Sequence, residues 1–320
     1  MSCIFFGRIS IKKNEVGKIK RAIVTGATGA VGTALVKELI DNNIEVLVFC
    51  REGSKRNNNI PNHPLVEVKY CSLEQLASVE NDTGKIYDVF YHFAWEGTTG
   101  AARNDMYLQN SNVRYALDAV GAAHRFGCKS FIGAGSQAEY GRVEGVLKSN
   151  TPTFPETGYG IAKLCAGQMT REYAHQLGME HIWVRILSVY GPNDGSQSMV
   201  MSAINKLKNG EVPQFTKGEQ MWDYLYSGDA ARAFRLLAEK GSNGSVYVLG
   251  NGQARQLKEY IEEIRDAVNP KGKIALGAIP YSDKQVMHLE ADVTDLKNDV
   301  SWKPIETFSN GIKKILESEK

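Results

Sequence analysis

Tyr159-Gly-Ile-Ala-Lys163 sets a phenol and an ammonium four residues apart, on one face if the segment is helical. An unperturbed tyrosine titrates near ~10, too high for an efficient acid or base at neutral pH. An ammonium beside it favours the phenolate and lowers that value. Such a pair often arises by chance, and alone it reads more readily as two structural residues. Its place in the chain gives it weight, because it lies downstream of Thr25-Gly26-Ala27-Thr28-Gly29-Ala30-Val31-Gly32. Glycines at this spacing between a strand and a helix permit a tight turn and close backbone approach to a pyrophosphate. The helix start then offers amide donors and partial positive charge. The spacing is G-x-x-G-x-x-G, and a purely structural tight turn is the competing reading.

The end of the second strand, about 20 residues on, decides which dinucleotide fits. An NAD site commonly has a carboxylate there for the ribose 2′-hydroxyl. This chain has Cys50-Arg51, with Ser54, Lys55 and Arg56 behind and Glu52 one position late. A guanidinium pairs bidentately with a 2′-phosphate, whereas a carboxylate repels it. The expected cofactor is therefore NADP, with NAD possible; a solvated basic loop is the alternative for these residues.

The elements that must position these groups alternate. Strands are expected at Arg21–Thr25, Ile44–Cys50, Val66–Tyr70, Val89–Phe93, Ser130–Gly133 and His181–Leu187, with helices at about Gly29–Asn42, Asp105–Phe126 and Tyr159–Leu177. Apolar strands alternating with helices imply an α/β fold, a doubly wound parallel sheet covered on both faces. After Gly191-Pro192 the rhythm changes, then a helix and the strand Val246–Leu249 return. The expected division is an extension at 1–20, a dinucleotide-binding domain at 21–190 plus about 222–250, and a smaller C-terminal substrate-binding lobe at 191–221 and 251–320.

Composition narrows the classes. The 320 residues are 42% hydrophobic and 23% charged with a net charge of +2, as in an ordinary globular protein with no general drive towards nucleic acid. No apolar run approaches the ~18–20 residues that span a bilayer. Charge is uneven: residues 1–21 hold Arg8, Lys12, Lys13, Lys18, Lys20 and Arg21 against Glu15. Cys3-Ile4-Phe5-Phe6 is too short for a signal-peptide core. The scattered Cys3, Cys50, Cys71, Cys128 and Cys165 argue for reduced thiols and a cytoplasmic location. No histidine cluster has ligand spacing, so no metal is expected.

Taken together the motifs resemble the short-chain dehydrogenase/reductase superfamily, in its extended branch of nucleotide-sugar epimerases and 4-ketoreductases. The likeness covers about residues 21–318. Besides the glycine run and Tyr159…Lys163, it rests on Ile132-Gly-Ala-Gly-Ser136-Gln-Ala-Glu-Tyr140-Gly141, Arg185-Ile-Leu-Ser-Val-Tyr190-Gly-Pro192, Asp223-Tyr-Leu-Tyr-Ser-Gly-Asp229, Ala291-Asp-Val-Thr-Asp-Leu-Lys297 and Trp302-Lys-Pro304. The resemblance implies a Rossmann fold. It makes Ser136 the hydroxyl that binds the reacting sugar oxygen, Tyr159 the proton donor or acceptor, and Lys163 the residue that binds the nicotinamide ribose and depresses the tyrosine pKa. Asn112 would help hold the active-site backbone. His92-Phe-Ala-Trp95 matches a cofactor-lining H-x-A-A stretch. The implied cofactor contacts are Gly26, Thr28, Gly29, Ala30, Val31, Gly32, Arg51, Ser72, Leu73, Phe93, Ala94, Lys163 and Leu187. The implied substrate contacts are Trp95, Glu96, Ser136, Gln137, Ser188 and Trp222. Such enzymes usually form homodimers through two helices per subunit, here about 105–126 and 159–177, whose faces read equally as core.

Departures narrow the chemistry. Gln137-Ala138 replaces the acidic pair that sugar 4,6-dehydratases use, which argues against that reaction. Trp222 replaces an arginine that often clamps the substrate diphosphate; an indole can instead stack on a base or sugar, or simply pack. Ser188 stands where many members have asparagine, and Ser72 stands near an adenine-contacting aspartate position. Trp95-Glu-Gly-Thr-Thr-Gly-Ala-Ala-Arg103 reads as a substrate loop or as a flexible connection. The expected activity is NADP(H)-dependent reduction of a nucleotide-activated 4-keto (6-deoxy)hexose. The alternatives are a nucleotide-sugar 4-epimerase with retained NAD and, further off, a non-catalytic NADP sensor.

Overall fold

The computed structural model describes residues 18–283 and 285–319, so the expected extension lies almost wholly outside the described residues. Lys20 and Arg21 are already tied down, both backbone amides donating to Asp88 Oδ2 at 2.8 and 3.0 Å. From there the chain builds a central seven-stranded sheet: β1 (Arg21–Thr25), β2 (Glu45–Cys50), β3 (Val66–Tyr70), β4 (Val89–His92), β5 (Ser130–Ser136), β6 (Glu180–Ile186) and β7 (Val246–Leu249). All pair in parallel, in the order β7-β6-β5-β4-β1-β2-β3. Order reverses between β1 and β4, and at such a switch point ligands bind beyond the carboxyl ends of the strands.

The strands alternate between two buried faces. Ala22, Val24, Val46, Val48 and Tyr91 join one core with α1 (Ala30–Asp41) and α5 (Ser227–Lys240). Ile23, Leu47, Phe49, Phe90 and Phe131 join the other with α2 (Met106–Arg125), to which α3 (Gly158–Gln176) adds Ala174. Burial on both faces explains the nearly continuous apolar runs. Two helix starts are fixed by side-chain caps: Asp105 Oδ1 accepts from Tyr107 N and Leu108 N, both at 3.1 Å, and Thr157 Oγ1 accepts from Gly160 N at 3.1 Å.

Strand β5 runs past the expected end at Gly133, to Ser136. Its glycines do not end it; they make room for Trp183 of β6. A Cβ on Gly133 would fall 2.2 Å from the Trp183 ring, and one on Gly135 would fall 2.4 Å from Trp183 Nε1.

Beyond the sheet, α4 (Met199–Lys208), α6 (Leu257–Val268) and α8 (Phe308–Ser318) share a separate core with Tyr190 and Phe215. Residues 294–302 behave differently from the rest of the segment expected in this lobe. Leu296 and Val300 of α7 (Thr294–Val300), with Trp302, pack into the main core, and Trp302 Nε1 donates to Asp229 O at 3.0 Å. Among the described residues, no helix is long and apolar enough to cross a membrane.

Candidate active site

The turn after β1 is shaped by close approach. Gly26 has φ +72°, and a Cβ there would lie 2.6 Å from Ala94 N, so β1 presses against Phe93–Ala94 at the end of β4. A Cβ on Gly32 would lie 2.2 Å from Gly26 O, which seats the start of α1 on the turn. Gly29 differs, because its Cβ would meet only Arg56 Nη2, at 3.7 Å. It begins α1 with no side-chain cap, leaving the first-turn amides around Ala30 and Val31 for an external acceptor. Room for the phosphates and donors for them coincide, so the residues present fit a dinucleotide pyrophosphate.

The basic loop divides its roles. Arg51 is exposed just past β2, its carbonyl accepting from Asn57 Nδ2 at 2.9 Å. Arg56 instead reaches the glycine turn, with Nη2 at 3.3 Å from both Thr28 O and Asn193 O. Asn59 Nδ2 also donates to Thr28 O, at 3.0 Å. In the sequence Arg56 is one member of a basic loop and Asn59 and Asn193 do not stand out, since nothing local says which basic residue folds back. Ser72 and Leu73 follow β3, with the Ser72 amide held by Gln75 Oε1 at 2.7 Å. Leu187 is buried at the end of β6, and its amide donates to Leu249 O at 2.9 Å.

Ser136, Tyr159 and Lys163 meet where β5 ends and α3 begins. The Ser136 hydroxyl accepts from Ala138 N at 3.2 Å and lies beside the Tyr159 phenol. Burial pushes the Tyr159 phenol up, opposed by the neighbouring Ser136 hydroxyl and by the positive charge of Arg103. Lys163 is engaged by other partners. Its Nζ donates to Ala134 O at 2.7 Å and sits 3.8 Å above the Trp95 ring, but 5.9 Å from the Tyr159 ring centre. Burial lowers the Lys163 ammonium to about 7. His92, on β4, is buried against Thr25 Oγ1 at 2.9 Å and is held neutral, its pKa lowered by burial to about 3.

A buried lysine with a lowered pKa weakens the fold that holds it. Between about pH 7 and 10.5 the unfolded chain binds this proton and the folded chain does not, so stability rises with pH across that window. Below about 7 both forms are protonated and the whole penalty is present. Lys163→Met is therefore expected to stabilise the nucleotide-free protein by about 1–3 kcal/mol at pH 6.5, less than the shift alone implies because the Ala134 and Trp95 contacts are lost. Urea midpoints at pH 6.5 and 9.5 check this, and an advantage that grows with pH contradicts it.

The stretch 95–104 is a built loop. Asn112 Oδ1 accepts from Glu96 N at 2.9 Å while its Nδ2 donates to Glu96 O at 3.0 Å. Three residues earlier on α2, Gln109 Oε1 accepts from Trp95 Nε1 at 2.8 Å, and its Nε2 donates to Gly97 O and Ala102 O, both at 2.9 Å. Both side chains are almost fully buried, so one face of α2 clamps the loop over Tyr159 and Lys163. Sequence reasoning names Asn112 and misses Gln109, for which the 109/112 helical spacing was the available signal. Gln137 opens the short helical turn after Ser136, half-buried.

Trp222 and Ser188 are brought together, with Trp222 Nε1 donating to Ser188 Oγ at 2.9 Å. The indole also packs against two apolar clusters of the lobe, so it is a wall of the crevice with its polar edge already paired. Met221–Trp222 pairs antiparallel with Arg255–Gln256, and directly across from Trp222 stands Arg255, which meets Glu263 at 2.6 Å and covers the Tyr260 ring at 4.1 Å.

The model of the NAD dependent epimerase/dehydratase family matches residues 22–250. Among solved structures, the chain is similar to a UDP-N-acetylglucosamine 4-epimerase from Methanobrevibacter ruminantium in complex with UDP-N-acetylmuramic acid, at 24% identity and TM-score 0.83, over 95% of this chain and 100% of that one. It is similar to UDP-glucose 4-epimerase with UDP-glucose from Thermotoga maritima, at 21% identity and TM-score 0.82, over 93% and 97%. It also resembles RMD from Pseudomonas aeruginosa complexed with NADPH, at 20% identity and TM-score 0.75, over 93% and 99%. At these identities the likeness is one of fold.

Proposed function

The chain belongs to the NAD dependent epimerase/dehydratase family and is an NAD(P)-dependent enzyme, and from that premise we propose that it reduces a nucleotide-activated 4-keto (6-deoxy)hexose with NADPH. The observation that carries this reading is the end of β2, where Cys50-Arg51 stands in place of a carboxylate and Arg51 is exposed. That charge suits a 2′-phosphate and disfavours tight retention of NAD. The reduced nicotinamide, when bound, supplies the hydride. Ser136 holds the sugar carbonyl oxygen by a hydrogen bond, Tyr159 delivers the proton to the developing alkoxide, and Lys163 holds the ribose hydroxyls beside Trp95. Gln109 and Asn112 keep the loop in place, while Ser188 and Trp222 form the far wall for sugar or base.

A nucleotide-sugar 4-epimerase is the second reading, and one observation favours it. Arg56 bridges Thr28 O and Asn193 O across the glycine turn, a strap that suits a cofactor kept through many turnovers. We further propose that a second copy covers the outer faces of α2 and α3, where Leu117, Gly121, Arg125, Met169, Tyr173 and Gln176 line a groove of about 730 Å³.

Acid release of nucleotide from the purified protein, followed by NADPH and NADH oxidation on a panel of nucleotide 4-keto sugars, tests the assignment. The expected result is little retained nucleotide, with NADPH consumed by at least one keto sugar. Arg51→Asp is then expected to shift the kcat/KM ratio at least tenfold towards NADH. One NAD per chain, with interconversion of hexose epimers and no net NADPH use, would replace reduction with epimerisation.

A further inference from the structure

The loop 95–104 carries a second element of the site besides its backbone. Arg103 lies in the short Gly100–Asn104 helical turn, with Cζ 4.3 Å from the centre of the Tyr159 ring and Nη1 donating to Thr98 O at 2.8 Å. The turn is fastened to the start of α3, because Asn104 Oδ1 accepts from Gly158 N at 3.0 Å and a Cβ on Gly158 would meet Arg103 O at 3.2 Å. Four side chains thus form an alternating stack. Lys163 lies on Trp95, Trp95 meets Tyr159 edge-on with centroids 6.1 Å apart, and Arg103 covers Tyr159.

We propose that Arg103 is a positioning residue of this site, whose guanidinium is a second, fixed positive charge that helps poise the Tyr159 phenol for proton transfer. Resting on the reading above, this adds Arg103 to the lysine that the Tyr-x-x-x-Lys spacing sets beside the phenol. The two cations differ in chemistry. Arginine stays charged throughout the range in which enzymes work, whereas a buried lysine loses its proton readily. Lys163 follows that rule, titrating at about 7 with its donor turned to Ala134 O. Three other groups face the Tyr159 phenol. The Ser136 hydroxyl favours the phenolate, the buried Glu139 opposes ionisation from the turn after β5, and Trp95 covers one edge without charge. Arg103 is the nearer of the two cations stacked on the phenol ring.

Protein labelled with [13Cζ]tyrosine tests this without any sugar substrate. It is saturated with the nucleotide it retains, or with NADP+ where it retains none, and titrated between pH 6 and 11. The Tyr159 signal is the one lost in Tyr159→Phe. Arg103→Gln, and Arg103→Met as a second neutral variant that keeps aliphatic cover on the ring, are expected to raise the midpoint by at least one pH unit. That corresponds to about a tenfold smaller phenolate fraction at neutral pH. Arg103→Lys should return it most of the way. A midpoint unchanged in the neutral variants overturns the proposal, and so does a wild-type Tyr159 that does not titrate below pH 11. Failure of the keto-sugar panel removes the proposed reaction and leaves this titration, and the role it measures for Arg103, intact.

Discussion

Tyr159→Phe is expected to lower kcat by about 10²–10⁴-fold, the range for loss of a positioned general acid, with nucleotide affinity almost unchanged. Phenylalanine keeps the ring that Arg103 covers at 4.3 Å and that Trp95 meets edge-on, so the packing at the start of α3 survives. Only the hydroxyl is removed, on the side of the ring that faces Ser136. The glycine turn proposed to cradle the pyrophosphate, at Gly26, Gly29 and Gly32, lies between β1 and α1 and does not involve the phenol. An interaction made chiefly in the transition state lowers kcat and kcat/KM together and leaves KM in place. Steady-state oxidation of NADPH with the reacting keto sugar, beside NADPH binding by fluorescence, measures both quantities. A rate within tenfold of wild type removes Tyr159 from the proton transfer. Ser136→Ala should cost less, because an alanine leaves the acid in place and loses one hydrogen bond to the carbonyl oxygen.

Residues whose function depends on neighbours in sequence are readable without the fold. The glycine turn is set by chain geometry over eight residues, and the Tyr159–Lys163 pair by one helical turn. Strands β1, β3 and β7 fall where their apolar runs place them, and the other strand and helix boundaries differ by a residue or so, apart from β5. The sequence pattern shortens β5 because glycine ordinarily weakens a strand. Here the cause lies on the next strand: Trp183 fills the space that side chains at 133, 135 and 167 would occupy. Arg103, Gln109 and Arg56 are beyond the reach of local pattern for a related reason. Each acts across a gap closed only by the fold, between a loop and α3, between α2 and a loop, or between the end of β2 and the turn after β1. The protonation of Lys163 escapes the sequence because spacing places a charge but says nothing of how far it is buried. Burial turns an expected permanent cation into one poised near neutrality.

The same limit hides Glu139, and its replacement should have the largest effect on stability. In sequence it is one residue of a turn after Ser136; in the fold it is wholly buried and ties that turn to β5 and β6 at once. Its Oε1 accepts from Ser136 N at 2.8 Å and from Trp183 Nε1 at 3.0 Å, and its Oε2 accepts from Arg185 Nε at 2.8 Å. Arg185 in turn donates to Ser149 O at 3.2 Å and lies 4.6 Å from the centre of the Tyr140 ring. Glu139→Ala strands a buried guanidinium and two donors, for an expected loss of about 3–5 kcal/mol. Glu139→Gln keeps an acceptor for Ser136 N but turns an amide donor or a neutral oxygen towards Arg185, so it should fall between. The informative variant is the double replacement Glu139→Leu with Arg185→Met. Removing both charges avoids the stranded ion, so the double variant should be more stable than Glu139→Ala even though it changes more atoms. Urea unfolding of the three proteins orders them. The double variant should still lose turnover while folded, because nothing then fixes the amide of Ser136, and displacement of a catalytic group by about 1 Å costs on the order of a hundredfold. A Glu139→Ala loss below about 1 kcal/mol would show that water or a shifted partner replaces the carboxylate, and Ser136 would then owe its position to β5 alone.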